Sequence, residues 1–313
     1  MKILITGSSG QIGTNLGIRL LEEGHHVFGI DRRPNNWTDR IRTLIGDLSE
    51  GNLGERLEEH DQRDFDVVVH LAAHAKVHEL VVHPDRAFDN VKSVFQVLEY
   101  CRLSETPILF GSSREVYGDI HSHQTDEGQA DFVVAESPYS ASKIAGEALI
   151  YSYYRCYDLP YLVFRFSNVY GRFDCDLERM ERVVPLFIDR LSGGMPITIY
   201  GPEKVFDFTY VDDCVNGVVQ GIEAVATGKV KNETFNLACG EGHTLDELAK
   251  LICREVDAND PEINYELSRR GEVLRYVADI SKARRLLGYD PRVSLPAGIP
   301  LAVRSFRLHD KGS

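Results

Sequence analysis

Apolar residues along this chain follow two alternating rhythms, short unbroken runs and longer stretches in which they recur three and four positions apart. Lys2-Ile3-Leu4-Ile5-Thr6, His26-Val27-Phe28-Gly29-Ile30, Asp66-Val67-Val68-Val69-His70-Leu71-Ala72-Ala73, Ile108-Leu109-Phe110 and Tyr161-Leu162-Val163-Phe164-Arg165-Phe166 are strand-sized and apolar on both faces. Parallel strands covered by helices have that pattern. Between the runs, Ile12, Leu16 and Leu20 mark one helix, and Phe88, Val91, Val94, Phe95, Leu98 and Cys101 a second over 87–102. An aromatic-rich helix follows over 144–157. Such alternation predicts an α/β fold built on a parallel sheet.

After Gly171 the rhythm loosens. A charged stretch over 172–182, a helix over 183–191, the strand Ile197-Thr198-Ile199-Tyr200 and the segment 264–276 predict a smaller α/β lobe. Residues 207–224 are expected to return to the first lobe, with Phe208-Thr209-Tyr210-Val211 as a strand and Asp212 capping a helix. The predicted division is 1–169 with 207–236 for the larger domain and 170–206 with 237–303 for the smaller. Residues 304–313 read as a polar tail, 121–135 as a surface loop, and no repeat or low-complexity tract interrupts the chain.

Composition narrows the class of partner. The 313 residues are 43% hydrophobic, enough for a large core, and carry a formal net charge of -13 at pH 7. That charge repels nucleic acid and anionic membranes, so an anionic ligand must be met by local cations. The six cysteines are dispersed without a Cys-x-x-Cys, as in reduced thiols. No apolar run approaches a membrane span, and the N-terminus enters a strand at once. A soluble cytoplasmic protein is the expectation.

The first strand leads into Gly7-Ser8-Ser9-Gly10-Gln11-Ile12-Gly13 and then a helix. Glycines there allow a tight turn, close approach of backbone to a pyrophosphate and close helix–strand packing, while the helix N-terminus offers free amides to the anion. The second strand ends in Asp31, at the distance expected for an acid that bonds a ribose 2′-hydroxyl and repels a 2′-phosphate. NAD is therefore favoured over NADP, a preference that Arg32 and Arg33 weaken. Gly46-Asp47-Leu48 fits either a carboxylate beside the adenine or a plain turn. Leu71-Ala72-Ala73 supplies the small residues needed where a flat cofactor crosses the strand ends. His74, His78 and His83 lack the acid that would complete a metal set, so they read as solvated histidines.

Tyr139 and Lys143 stand four residues apart, on one face of a predicted helix that follows Ser137-Pro138. Bringing a phenol from about 10 to near neutrality takes about 4 kcal/mol. A lysine charge at about 6 Å supplies roughly 3 kcal/mol at an effective dielectric of about 20, and a cationic cofactor ring the remainder. By itself the pair also fits a chance arrangement on a surface helix. Upstream, Ser112-Ser113 ends a strand and runs into Arg114-Glu115-Val116-Tyr117-Gly118. If that segment is extended, Ser113 and Glu115 face the same site, where Glu115 is either an acid acting on a sugar C5 proton or a surface residue. Arg114 reads as solvated on the opposite face, or as a partner for a C6 carboxylate.

Taken in order, Thr6 to Gly13, Asp31, His70-Leu71-Ala72-Ala73, Ser112-Ser113, Tyr139 to Lys143 and Phe208-Thr209-Tyr210-Val211-Asp212-Asp213 make the chain resemble the extended short-chain dehydrogenases/reductases. Among these it is similar to the NAD-dependent nucleotide-sugar epimerases and dehydratases. The resemblance implies a Rossmann-type doubly wound sheet with a smaller α/β substrate-binding lobe, and catalysis by Ser113, Tyr139 and Lys143. On the cofactor side it implies Gly7, Gly10, Gln11, Ile12, Gly13, Asp31, Arg32, Asp47, Leu48, Leu71, Ala72, Ala73, Asn90 and Phe166, with Tyr139 and Lys143. On the substrate side it implies Lys76, Ser113, Glu115, Asn168, Arg172, Tyr200, Arg269 and Glu272. The implied reaction is 4-epimerisation of a UDP-hexose or UDP-uronic acid through a 4-keto sugar, in a homodimer. A dehydratase or decarboxylase, and a non-catalytic NAD sensor, are the alternatives.

Two departures stand out. Arg114 replaces the Asp of the Asp-Glu pair common in dehydratases, and Phe206 replaces the Arg that binds diphosphate in the family. Arg172, Arg179 or Arg182 is then expected to supply the missing cation.

Overall fold

The computed structural model describes residues 1–118, 135–178, 182–268 and 273–310, excepting the side chains of 309 and 310. Its first part alternates strand and helix: β1 (Lys2–Thr6), α1 (Gln11–Glu22), β2 (His26–Asp31), β3 (Arg42–Ile45), α2 (Leu53–Glu59), β4 (Val67–His70), α3 (Val77–Val82), α4 (Asp85–Leu103) and β5 (Ile108–Ser113). A 3-10 turn (Arg114–Tyr117), α5 (Pro138–Tyr157), β6 (Tyr161–Phe166), β7 (Asn168–Tyr170), α6 (Val183–Ser192), β8 (Ile197–Tyr200) and β9 (Val205–Tyr210) follow. The remainder is α7 (Val211–Ala226), β10 (Glu233–Leu237), β11 (Gly242–Thr244), α8 (Leu245–Glu255), β12 (Ile263–Glu266), β13 (Arg275–Tyr276), α9 (Ser281–Leu287) and α10 (Leu295–Asp310).

Seven strands form one sheet in the order β10-β6-β5-β4-β1-β2-β3, every pairing parallel. β4, β5 and β6 are buried along their whole length, as their unbroken apolar runs require with helices on both faces. The strand order reverses direction beside β1, so the crevice outside the carboxyl ends of β1 and β4 is where a ligand binds in such sheets. Among the described residues no helix is long and apolar enough to cross a membrane.

β10 joins the seven-stranded sheet, with α7 packing on α1 and β6. The strand before α7 does not. β9 pairs with β7, β11 and β13 in a second sheet, so Phe208 to Tyr210 belong to the smaller lobe, and Val211 already starts the helix. The N-cap is Tyr210 rather than Asp212, which lies in the first turn. The C-terminus also differs from expectation. It is helical through 310, because Ser305 and Phe306 are buried and α10 packs on α8, α6 and β9.

Candidate active site

The glycine loop has the shape an anion needs. Gly7 has φ +73, and a Cβ on it would lie 2.8 Å from the Ala72 amide nitrogen. A Cβ on Gly13 would collide with the Gly7 carbonyl oxygen, so neither position admits a side chain. Gln11, at the first position of α1, and Ile12 carry the loop into the helix.

Asp31, buried at the end of β2, accepts hydrogen bonds from the amides of Ser9 at 3.0 Å and Arg33 at 3.1 Å. This fixes the carboxylate beside the loop. Asp47 is held by Ser49, whose amide and hydroxyl both donate to it at 2.8 Å. Burial raises its pKa, but those bonds and the Arg32 charge outweigh burial and bring it below the ordinary range. Leu48 is buried beside it, and Leu71, Ala72 and Ala73 leave β4 at the same sheet edge.

His74 is not solvated. Its side chain is 14% exposed and lies against the Arg32 guanidinium, with a nitrogen–nitrogen distance of 3.0 Å. Burial, followed by the charges of Arg32 and Arg86, lowers its pKa. Asn90 clamps this corner. It accepts from the His74 amide at 2.7 Å and donates to the His74 carbonyl and Ser142 hydroxyl, each at 3.1 Å. Asn90 thus ties the exit of β4 to the helix that carries Tyr139.

α5 begins with a capping box. Ser137 Oγ accepts from the Ser140 amide at 3.1 Å, Ser140 Oγ accepts from the Ser137 amide at 2.9 Å, and Pro138 opens the helix. Tyr139 therefore sits in the first turn, buried, near enough to Ser113 at the end of β5 for that hydroxyl to pull on the phenol's pKa. Phe166, paired with Ser113 across β5 and β6, lies in the adjacent strand. One turn along, Lys143 donates to the Gly111 carbonyl at 2.8 Å, with Nζ 5.8 Å from the Tyr139 ring centroid.

Burial reverses the expected electrostatics of this pair. It pushes Tyr139 up to about 12, against the pull of the Ser113 hydrogen bond, and Glu115 adds to the rise while Arg182 and Arg114 oppose it. Lys143 is brought down by burial to about 8, Glu147 resisting. In the ligand-free protein the lysine therefore loses its proton before the phenol does. Near neutrality the lysine still carries its charge, and the cations that lower the phenol are Arg182 and Arg114.

The segment after Ser113 is also not extended. Ser113 Oγ accepts from the Glu115 amide at 3.2 Å and caps the 3-10 turn, which curls Arg114 and Glu115 inward. Both are largely buried and form an ion pair at 3.0 Å. Arg114 is stacked on Phe206, its Cζ 4.6 Å from the ring centroid, so the solvated reading of Arg114 fails. Glu115 is buried too, which removes its surface reading.

The remaining substrate candidates divide. Asn168 donates to the Asp207 carbonyl at 3.3 Å, and Lys76 to the Glu178 carbonyl at 3.2 Å. Tyr200 ends β8, opposite Glu266 in the two-stranded sheet with β12. Arg172 is drawn outward, its guanidinium on Asp212 at 2.6 Å with both side chains about half exposed. Arg182 bonds Gln11 of the glycine loop and reaches Asp174 at 2.7 Å, a buried carboxylate pushed by burial to about 6. Arg179, Arg269 and Glu272 lie outside the described residues. Sequence reasoning offers Arg114 only as a partner for a C6 carboxylate and does not find Asp174, since inward curling and burial leave no sequence signal of their own.

Residues 3–238 match the profile described as the NAD dependent epimerase/dehydratase family. The chain belongs to this family, within the extended short-chain dehydrogenases/reductases. A putative UDP-glucose 4-epimerase of Methanocaldococcus jannaschii is 31% identical over 317 residues, 99% of each chain. Among solved structures, a UDP-glucose 4-epimerase of Thermotoga maritima with UDP-glucose superposes with a TM-score of 0.90 at 31% identity, covering 99% of each chain. A UDP-glucuronic acid 4-epimerase of Bacillus cereus, in complex with UDP-glucuronic acid and NAD, gives 0.88 at 28% identity, covering 99% of this chain and 100% of that one. Dependence on NAD is a property of the family. The excluded Cβ atoms at Gly7 and Gly13 and the carboxylate of Asp31 fit that cofactor here.

Proposed function

We propose that this protein is an NAD-dependent 4-epimerase of a nucleotide sugar, acting on a UDP-hexose or a UDP-uronic acid. The observation that carries the reading is the buried Tyr139 beside Ser113, one helical turn from Lys143, at the sheet edge that holds the glycine loop. The 4-epimerase descriptions of the relatives support it.

NAD, when bound, supplies the acceptor that takes a hydride from sugar C4 and returns it. The chain does the rest. Tyr139, as the phenolate, accepts the C4 hydroxyl proton across the bridging Ser113 hydroxyl and returns that same proton after the 4-keto sugar has turned over. Inversion at C4 results with no net redox change. Lys143 would hold the cofactor's ribose, and Arg182 sets a positive charge near the phenol and the glycine loop. Asn168, Tyr200, Arg269 and Glu272 are proposed to hold the sugar nucleotide. The exposed apolar side chains of Phe88, Phe95 and Tyr151 on α4 and α5 support a homodimer through those helices, in the cytoplasm.

A second reading rests on Glu115. A buried carboxylate whose charge reaches Tyr139 is placed to act at C5 of an oxidised uronic acid or hexose, which leads to loss of carbon dioxide or water. A non-catalytic NAD sensor has no use for Ser113, Tyr139 and Lys143 together. The test is to incubate the protein and NAD with a panel of UDP-sugars and weigh the products. An isomer of unchanged mass, formed about 10²–10⁴-fold more slowly by Tyr139→Phe, is expected. Loss of carbon dioxide or water selects the second reading. No turnover of any sugar, with Tyr139→Phe indistinguishable from the parent, overturns both.

A further inference from the structure

The two departures from the family pattern touch each other. Arg114 stands where dehydratases have an acid, Phe206 where the family has its diphosphate-binding arginine, and the Arg114 guanidinium lies 4.6 Å from the Phe206 ring centroid. The turn capped by Ser113 directs it there, across the lobe boundary from β5 to β9. A second ring, Tyr276 of β13, stands 6.0 Å from Cζ and stacks on Tyr117 of the same turn, so the guanidinium is seated on a fixed aromatic platform. An arginine at 206 would set a second guanidinium against the first, which like-charge repulsion disfavours. In physical terms the two departures are therefore one change, a cation moved from β9 to the turn after β5.

We propose that Arg114 binds the diphosphate of the sugar nucleotide in place of the arginine missing at position 206, with Phe206 as the surface on which it lies. This rests on the nucleotide-sugar reading above. Arg114 spends Nη2 on Glu115 at 3.0 Å, while its Nη1 is buried without a hydrogen-bond partner among the described residues. A guanidinium has five donors in a planar fork, so one face can hold a carboxylate while another meets a phosphate. Among the described residues the other two candidate cations are committed elsewhere, Arg172 to Asp212 on α7 and Arg182 to Gln11 and Asp174 at the glycine loop.

Calorimetric titration of the NAD-loaded protein with UDP tests this without turnover. Arg114→Met is expected to weaken UDP binding by about tenfold or more, the loss of a charge-assisted contact. Arg114→Met with Glu115→Gln must be weakened as well, since it leaves no unpaired carboxylate to repel the ligand. Arg114→Met with Phe206→Arg, which returns the cation to β9, is expected to recover binding to within about threefold of the parent. Arg114→Lys keeps the charge and loses the fork, so it falls between, and it serves if the methionine variants do not fold. Parental affinity in the double variant Arg114→Met with Glu115→Gln, or in Arg114→Lys and Arg114→Met alike, overturns the proposal. So does failure of Phe206→Arg to restore binding. Unchanged UDP affinity with weakened UDP-glucuronate binding also overturns it, by assigning the guanidinium to the sugar's carboxylate. If the parent protein binds neither UDP nor any UDP-sugar, the nucleotide-sugar reading itself is wrong.

Discussion

Tyr139 is a poor base in the ligand-free protein. Burial, the condition that shields a reactive phenolate from water, pushes the phenol up to about 12 and Lys143 down to about 8. Charge must arrive with the ligands to reverse that order, which makes the phenol's ionisation a reporter of the bound state. An ultraviolet difference titration of the cofactor-free protein against Tyr139→Phe is expected to place the Tyr139 step near 12. Adding NAD is expected to move it toward neutrality, and an unmoved step contradicts the charge argument. Tyr139, Lys143 and Ser113 are legible in the sequence because a four-residue spacing and a strand end define where side chains point. Their electrostatics are not legible, since the sign of the outcome depends on how deeply each group is buried. The inward placement of Arg114 and Glu115 escapes the sequence for a related reason. An extended segment and a capped 3-10 turn have the same sequence spacing, and only the hydrogen bond from the Glu115 amide to Ser113 Oγ decides between them.

Each element at the site is held by a short-range device that the sequence partly reveals. The Ser137–Ser140 capping box and Pro138 begin α5 so that Tyr139 falls in its first turn beside Ser113. Asn90 on α4 holds the exit of β4 against α5, a role that no local pattern announces because its partners lie 16 and 52 residues away. The glycine loop is the sharpest case. Gly13→Ala forces the new methyl group against the Gly7 carbonyl, so the loop and α1 cannot both keep their places. The variant is expected to stay folded, as seen by circular dichroism, while losing NAD affinity by at least about a hundredfold. Parental NAD affinity in that variant removes the glycine loop from the cofactor site.

At the scale of the molecule, the smaller lobe is fastened to the larger by the segment that follows β7. Asn15 of α1 donates to the Arg172 carbonyl at 3.1 Å, Trp37 stacks on Phe173 at 5.8 Å, and Lys76 and Arg182 complete the ties. These contacts join residues far apart in the chain, which is why the sequence offers the arginines of 172–182 as ligand cations and does not show these ties. The parallel main sheet, by contrast, follows from apolar runs alternating with helical patterns. The smaller sheet does not, because β9 looks like any buried strand and only its partners β7, β11 and β13 assign it to the second lobe. The C-terminal helix is likewise hidden by its polar composition, although Phe306 is 7% exposed and sits in the core. Phe306→Ala is expected to destabilise the protein by about 2–4 kcal/mol in denaturant unfolding. A change within about 0.5 kcal/mol would return those residues to the status of a tail.

The account stands on a hydride that leaves C4 and comes back to the same carbon while Tyr139 holds the hydroxyl proton. UDP-glucose and UDP-glucuronic acid carrying deuterium at C4, incubated with the protein and NAD and followed by mass spectrometry and NMR, test that directly. One of the two is predicted to yield its C4 epimer at unchanged mass, with the deuterium still at C4 and none gained from or lost to water. Washout of the label, or a product lighter by carbon dioxide or water, would contradict the account.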